Sequence, residues 1–323
     1  MELLKEKKIL LIYFCYLFVG FTIYLTLHIS EFPYKYVFTD WLINYEGGYI
    51  RRGLLGQICF NISNIFNVDF KHLVLIFQII TYLIYFLLFF YLFLKIKINY
   101  FWILVIFSPI AFLYPLSELM SLGRKDVFVI TSFLAFVLIS YKSINSIIFS
   151  FIIFFGISIF IHEITFFYLF HYLFTIYLKN KFVIKEKFKI YHFLIVLIFL
   201  LFLLYLNIYQ SNFAELDLII KSYNYDDITV LSGAFSWLSP SFNQILFKII
   251  NKIDILSIAR YLFIFLINVV PFLFFINFKK NSDLNFLSTN KFFIVMTLLS
   301  IPMYLLIFDW GRVIYINYNF FII

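Results

Sequence analysis

The chain has 323 residues, of which 64% are hydrophobic and 13% charged, where a soluble domain carries about 25% charged residues. That composition excludes an ordinary water-soluble globular protein. The formal net charge of +8 gives no ground for nucleic-acid binding, because the basic residues follow a membrane-sidedness pattern described below.

Lys5, Lys7 and Lys8 precede an apolar stretch over 9–27. It is longer than a usual signal-peptide core and no small-x-small cleavage site follows, so it reads as an uncleaved first span over 9–28. Further apolar runs predict spans over 73–94, 101–119, 127–141, 145–161, 164–178, 190–209, 259–278, 292–308 and 313–323. Residues 73–94 and 193–208 hold no ionised side chain, and crossing the hydrocarbon core takes about 20 apolar residues. The expectation is an all-α, polytopic transmembrane bundle of nine to ten spans forming one integral membrane domain over 1–323. Residues 145–178 are read as two spans turning at His162–Glu163, since a single helix would run roughly 50 Å. Two longer outer segments cover 29–72 and 210–258. Within the first, apolar residues at near-helical spacing over 54–66 predict an amphipathic helix lying in the interface.

With the N-terminus placed in the cytoplasm, the inner segments hold 14 lysines against Glu2, Glu6, Glu186 and Asp283. The outer segments hold 11 basic and 13 acidic residues. This is the positive-inside pattern of a multi-pass membrane protein; the resemblance given below implies the bacterial cytoplasmic (inner) membrane. All five arginines (Arg51, Arg52, Arg124, Arg260 and Arg312) fall on or near the outer side, against that bias. Arginine is the side chain suited to bidentate binding of phosphate or carboxylate. Cys15 and Cys59 form neither a CxxC pair nor a metal spacing.

The residues that could do chemistry cluster on the same outer side. Asp40, just past the first span, can act as a general base or metal ligand. It opens a stretch containing Asn44, Glu46, Gly47, Gly48, Arg51 and Arg52, whose paired glycines allow close approach by a ligand. Its plainer reading is a turn with interfacial Trp and Tyr anchors. Arg124, Lys125 and Asp126 could bind a pyrophosphate, or pair with one another on a solvated hairpin. His162 can move protons near neutral pH with Glu163 orienting it, although Phe166 rules out the His-Glu-x-x-His metalloprotease pattern. Asp309, Trp310 and Arg312 open the last span, where Asp and Arg three apart meet on one helical face. Asp226–Asp227, after Tyr223 and Tyr225, could hydrogen-bond sugar hydroxyls, but reads first as a solvated loop. Asp40 and Asp126 are the pair a divalent metal would use, though nothing in their spacing demands one, and no other cofactor is indicated.

Asn44-Tyr-Glu-Gly-Gly-Tyr-Ile-Arg-Arg-Gly-Leu-Leu-Gly56, with Gly-Arg-Lys-Asp at 123–126 and Asp-Trp-Gly-Arg at 309–312, resembles membrane proteins of bacterial surface-polysaccharide loci. These are O-antigen or capsule repeat-unit polymerases and GT-C-type glycosyltransferases. The resemblance implies a polyprenyl-(pyro)phosphate-linked glycan as donor, transfer on the extracytoplasmic face, and polysaccharide-assembly proteins as partners beside membrane lipid. It implies Asp40 as the acid beyond the first span, and Arg51 and Arg52 as phosphate ligands. On this reading Asp40, alone or with His162, deprotonates the acceptor, while Arg51, Arg52, Arg124, Lys125 and Arg312 receive the leaving pyrophosphate. Asn44, Glu46, Gly47, Gly48, Asp126, Asp309 and Trp310 support the substrate or the site. A transporter or flippase of lipid-linked glycan is the alternative; it would place ionisable residues within the spans, which here are nearly free of charge. A structural subunit without catalysis ranks last, since it needs no outward arginine pair.

Overall fold

The computed structural model describes residues 2–32, 36–209, 214–223, 234–238 and 309–323, with isolated positions between 247 and 303. Apart from such single positions, the expected spans over 259–278 and 292–308 lie outside the described residues, as do Asp226–Asp227 and Arg260.

Among the described residues all regular structure is helical. Four helices of the described residues are long and apolar enough to cross a membrane: Lys7–Glu31, Phe70–Leu94, Ile144–Ile161 and Ile190–Tyr209. The shortest has 18 residues, about 27 Å at 1.5 Å per residue, close to the hydrocarbon thickness of a bilayer. In chain order the elements are α1 (Glu2–His28), α2 (Tyr36–Trp41), α3 (Gly53–Phe66), α4 (Phe70–Leu94), α5 (Tyr100–Ile106), α6 (Tyr114–Ser117), α7 (Asp126–Leu138), α8 (Ile144–Ile161), α9 (Leu169–Lys179), α10 (Ile190–Leu204), α11 (Leu216–Lys221) and α12 (Trp310–Ile322). The helix expected over 54–66 is α3.

Four expected spans differ. The stretch over 101–119 is interrupted: α5 ends before Ser108–Pro109, and the four-residue α6 carries Pro115 in its first turn. Proline lacks an N–H and pushes its predecessor out of the helical region, so it stops one helix and suits the start of the next. The stretch over 164–178 begins as a 3-10 turn, Glu163–Tyr168, and becomes α-helical only at Leu169. α7 and α12 have 13 residues each, about 20 Å of helix, short of the hydrocarbon thickness.

Contacts divide the chain into two compact units. The first comprises Met1–Leu17, Phe90–Ser121 and Pro240–Ile323. Phe14, Phe93 and Phe112 pack edge-on or tilted at its heart, with centroids 5.0 to 6.3 Å apart. Buried α12 joins this unit by a hydrogen bond from the Tyr318 hydroxyl to the Val105 carbonyl, 3.2 Å. Tyr114 stacks on Tyr315 at 5.3 Å. Gly311 leaves room for the Tyr114 hydroxyl, which any Cβ there would overlap.

The second unit comprises Phe18–Phe89 and Leu122–Ser239. Its core joins Trp41, Leu42 and Ile43 to Leu55 and Cys59 of α3, Val74 of α4, Ile219 of α11 and Phe235. α8 is started by Ser143, whose side chain accepts from the Ser146 N–H while Ser146 reaches back to the Ser143 N–H, satisfying donors that a helix start leaves open. α3 ends at Asn67, in the left-handed region at φ 55°, which asparagine tolerates better than most residues. A Cβ on Gly56 would overlap the backbone carbonyls of Trp41 and Ile43, so α3 lies directly against the segment after α2. Gly56→Ala is therefore expected to lower stability by roughly 1–3 kcal/mol through overpacking, read as a reduced thermal-unfolding midpoint in detergent. An unchanged midpoint would show that the two backbones do not approach this closely.

Candidate functional site

The site is built around Lys125, the residue before α7. Gly123 takes φ +81°, and its carbonyl accepts from Trp41 Nε1 at 2.9 Å and Gln78 Nε2 at 2.8 Å. Its N–H donates to the Tyr82 hydroxyl at 3.1 Å. A Cβ here would come within 2.6 Å of Gln78 Nε2, so glycine is required twice over, for space and for φ. This clamp fixes the approach to α7 and leaves Lys125 fully buried. Its Nζ donates to the Asp40 carbonyl at 2.7 Å and the Arg52 carbonyl at 2.6 Å. Burial pushes the Lys125 ammonium down to about 8, against the Asp40 carboxylate, which favours the proton.

Arg52 takes a left-handed backbone, φ 67°, immediately before α3. Its Nε lies 2.8 and 2.9 Å from the two carboxylate oxygens of Glu163, and its Nη1 lies 3.7 Å from Asp40 Oδ1. Burial alone would raise the Glu163 carboxyl, but the Arg52 guanidinium overrides it and holds the group well below the usual carboxylate range. Asp40, at the end of α2, is buried, and its Oδ1 has no hydrogen-bond partner among the described residues.

His162 ends α8 in an extended conformation. Its Nδ1 accepts from the Ile164 N–H at 3.2 Å, and its carbonyl accepts from the Thr165 hydroxyl at 2.8 Å. These two bonds make the tight turn into Glu163–Tyr168 without Gly or Pro. With Nδ1 accepting, the neutral ring carries its hydrogen on Nε2, which lies 3.4 Å from Asp126 Oδ1. Burial pushes the imidazole down to about 4, and the Arg52 charge adds to the shift. His162 is thus uncharged at neutral pH.

Around this network lies a polar shell from the 44–57 stretch. Asn44 donates to Ser222 Oγ at 2.9 Å and accepts from the Glu46 N–H at 3.0 Å. Gln57 accepts from the Tyr45 N–H at 2.6 Å and donates to Glu46 at 3.0 Å. The Gly47 carbonyl accepts from the Glu215 N–H at 2.8 Å; a Cβ on Gly47 would overlap the Glu215 carbonyl. Gly48 turns the chain at φ +103°. Arg51 donates to the Leu238 carbonyl at 3.3 Å.

Of the residues expected from sequence, Asp40, Arg52, Lys125, Asp126, His162 and Glu163 come together. Asn44, Glu46, Gly47 and Gly48 are engaged in holding the turn that leads to Arg52. Arg51 faces Leu238, and Arg124 is buried at the mouth of α7. Asp309, Trp310 and Arg312 belong to the other compact unit. There Asp309 caps α12 by accepting from the Arg312 N–H at 3.2 Å, and its carboxylate lies 3.8 Å from Arg312 Nε. Lys125, expected as a phosphate ligand, spends donors on two backbone carbonyls instead. Sequence reasoning missed Gln78, Tyr82 and Tyr49. Gln78 is an amide inside an otherwise apolar helix, a signal of buried hydrogen bonding. Tyr49 stacks on Tyr45 at 5.6 Å; burial pushes its phenol up to about 12, with Glu163 adding to the shift. Tyr49 stands inside the Asn44–Gly56 motif, whereas nothing distinguishes Tyr82 among the 25 tyrosines of the chain. Among the described residues no group of three or more His, Cys, Asp or Glu is arranged to hold a metal ion. No protein-family model, curated protein or solved structure matches the chain.

Chemically, the network offers a buried carboxylate, an arginine at its rim and a neutral imidazole. Between pH 6.5 and 4 the unfolded chain holds a proton on His162 that the folded chain lacks. Stability therefore rises with pH across that window and is lost as pH falls through it, by roughly 3 kcal/mol. Below the usual carboxylate range Glu163 adds a loss of the same sign. The thermal-unfolding midpoint in detergent should fall between pH 6.5 and 5, and His162→Gln should flatten that slope. An equal slope in the variant would remove His162 as its source.

Proposed function

We propose that the chain is a multi-pass glycosyltransferase of bacterial surface-polysaccharide assembly, of the O-antigen or capsule polymerase type. It would take a sugar or repeat unit from a polyprenyl-(pyro)phosphate carrier at the extracytoplasmic face of the inner membrane. The observation that carries this reading is the meeting of Asp40, Arg52, Asp126, His162 and Glu163 in one largely buried network, in a chain whose described residues include four membrane-length helices. A lipid-linked donor explains why sugar chemistry would need such helices, and the lysine bias supports an outer-side position for the network.

In the proposed reaction the acceptor hydroxyl gives its proton to Asp40 Oδ1 and its oxygen attacks the anomeric carbon. The bond from that carbon to the donor's phosphate oxygen breaks, and negative charge collects on the departing (pyro)phosphate. Arg52 meets that charge, where fixed donors act most strongly. Before the donor arrives, Glu163 keeps the guanidinium in place, and the phosphate competes with this carboxylate for it. Lys125 acts here through the backbone, by holding the carbonyls of Asp40 and Arg52. His162, with Nδ1 engaged and Nε2 bearing hydrogen, is a positioning group and Asp40 is the base.

Asp40→Asn is expected to reduce polymer formation at least about a hundredfold, the usual contribution of a general base. Arg52→Ala should abolish long chains, and both variants should be checked for retention in the membrane. Gel analysis of surface glycan from complemented deletion strains reads the outcome. Wild-type chain lengths in both variants would remove these residues from the mechanism. Accumulation of lipid-linked units on the inner leaflet of the deletion strain would favour a flippase instead.

A further inference from the structure

The stretch Asn-Lys-Phe-Val-Ile-Lys-Glu-Lys-Phe-Lys-Ile over 180–190 has no part in the sugar chemistry above. It leaves α9 through a π turn, Asn180–Ile184, closed by Lys185 in the left-handed region at φ 59°. It enters α10 at Ile190. Lys181, Lys185, Lys187 and Lys189 are all exposed. Interleaved with them, Phe182 is 53%, Val183 66%, Phe188 52% and Ile190 80% exposed.

The exposed tip stands on a fixed base. Asn180 Nδ2 donates to the Glu186 carbonyl at 3.0 Å, and the Glu186 N–H donates back to Asn180 Oδ1 at 3.2 Å. Glu186, the one acid of the stretch, accepts from the Ile144 N–H at 3.0 Å, which ties the loop to the start of α8. His192 Nε2 lies 2.8 Å from Asn145 Oδ1, which ties the start of α10 to the same place. α8, and α10 continued by the π turn to Tyr209, are long and apolar enough to cross a membrane. The stretch therefore sits at the shared end of two such helices, with its carboxylate engaged and its lysines exposed.

We infer that residues 180–190 form a docking surface for anionic phospholipid. The phosphodiester headgroups neutralise Lys181, Lys185, Lys187 and Lys189, and the acyl chains cover Phe182, Val183, Phe188 and Ile190. The charge complementarity decides the occupant: a neutral lipid surface would cover the apolar tips and leave four ammonium groups without an anion, Lys181 and Lys189 keeping only their ring contacts. Lysine stems can lie along apolar surface while the charged heads reach the phosphates, and clusters of this size beside a span attract anionic lipid. The inference is independent of the glycosyltransferase reading.

The test uses the purified, delipidated full chain in detergent, titrated with phosphatidylglycerol, with phosphatidylcholine of the same acyl chains, and with inorganic phosphate. Binding is read by native mass spectrometry. Phosphatidylglycerol should bind preferentially and weaken as salt is raised. The combined variant K181Q, K185Q, K187Q and K189Q should lose at least about tenfold in affinity for it, while replacing the same four lysines by arginine should preserve binding. Equal binding of the two lipids, salt-independent binding, or full affinity in the glutamine variant would overturn the inference. Competition by inorganic phosphate at the same concentration would also overturn it, by assigning the site to free phosphate. If the glutamine variant does not fold, the lipid comparison and salt titration on the unaltered chain still decide.

Discussion

An ammonium group cannot enter a protein interior without acceptors, and the second unit is organised by how Lys125 finds its own. Its Nζ donates to two backbone carbonyls, of Asp40 and of Arg52. One side chain thereby joins the end of α2, the turn before α3 and the start of α7. Arg52 is held in a left-handed conformation that costs a non-glycine residue on the order of 1 kcal/mol or more. The bond from Lys125 to the Arg52 carbonyl, and the ion pair from its side chain to Glu163, offset that cost. The Gly123 clamp matters for the same reason, because it sets where the lysine enters.

Burying so many charges gains little stability by itself. The desolvation of each ion offsets much of the attraction between them, whereas removing one partner leaves the other uncompensated. Such a network is better understood as a device that holds groups in defined places. Exposure is graded across it: Lys125 is closed off and the Asp40 side chain is 2% exposed, while those of Arg52 and Glu163 are 13% and 22% exposed. The Arg52–Glu163 pair is thus the more accessible part of the network and Asp40 the less. In the proposed reaction that order is useful. A phosphate would engage the guanidinium at the rim, and the acceptor hydroxyl would reach the carboxylate set deeper.

Much of this was legible in the sequence, and the exceptions share a physical cause. Long apolar runs specify α1, α4, α8 and α10 because backbone groups in hydrocarbon must bond within their own helix. The clustering of Asp40, Arg52, Asp126, His162 and Glu163 follows from charged residues collecting between apolar runs. Lys125 was read as a phosphate ligand because its neighbours Arg124 and Asp126 suggest one. Its acceptors are carbonyls, which every residue possesses and no residue name announces. The turn at His162 is similar, since a histidine nitrogen there takes the part usually signalled by glycine or asparagine. Ser108–Pro109 within 101–119 did carry a signal against a continuous helix, and apolar composition outweighed it. The Asp309–Arg312 pair echoes the Asp-Trp of positions 40 and 41, yet the shared dipeptide says nothing about location: the two belong to different compact units.

α8 gives these features a common scale. At its C-terminal end His162 and Glu163 enter the ion network with Arg52 and Asp126; at its N-terminal end Ile144 and Asn145 hold the lysine-rich stretch through Glu186 and His192. The helix has 18 residues, which separates its two ends by about 27 Å, close to the hydrocarbon thickness. Arg52, Lys125 and the carboxylates of Asp40, Asp126 and Glu163 gather at one end, and Lys181, Lys185, Lys187 and Lys189 at the other. A bilayer spanned by α8 would set the two on opposite surfaces, with the lysines where anionic headgroups and the positive-inside bias favour them. The arginine would then stand on the other surface, apart from the lysine-rich side that the same bias would otherwise prefer for it. Its position there is explained by the partners it keeps, Glu163 and Asp40, and by the phosphate it is proposed to receive.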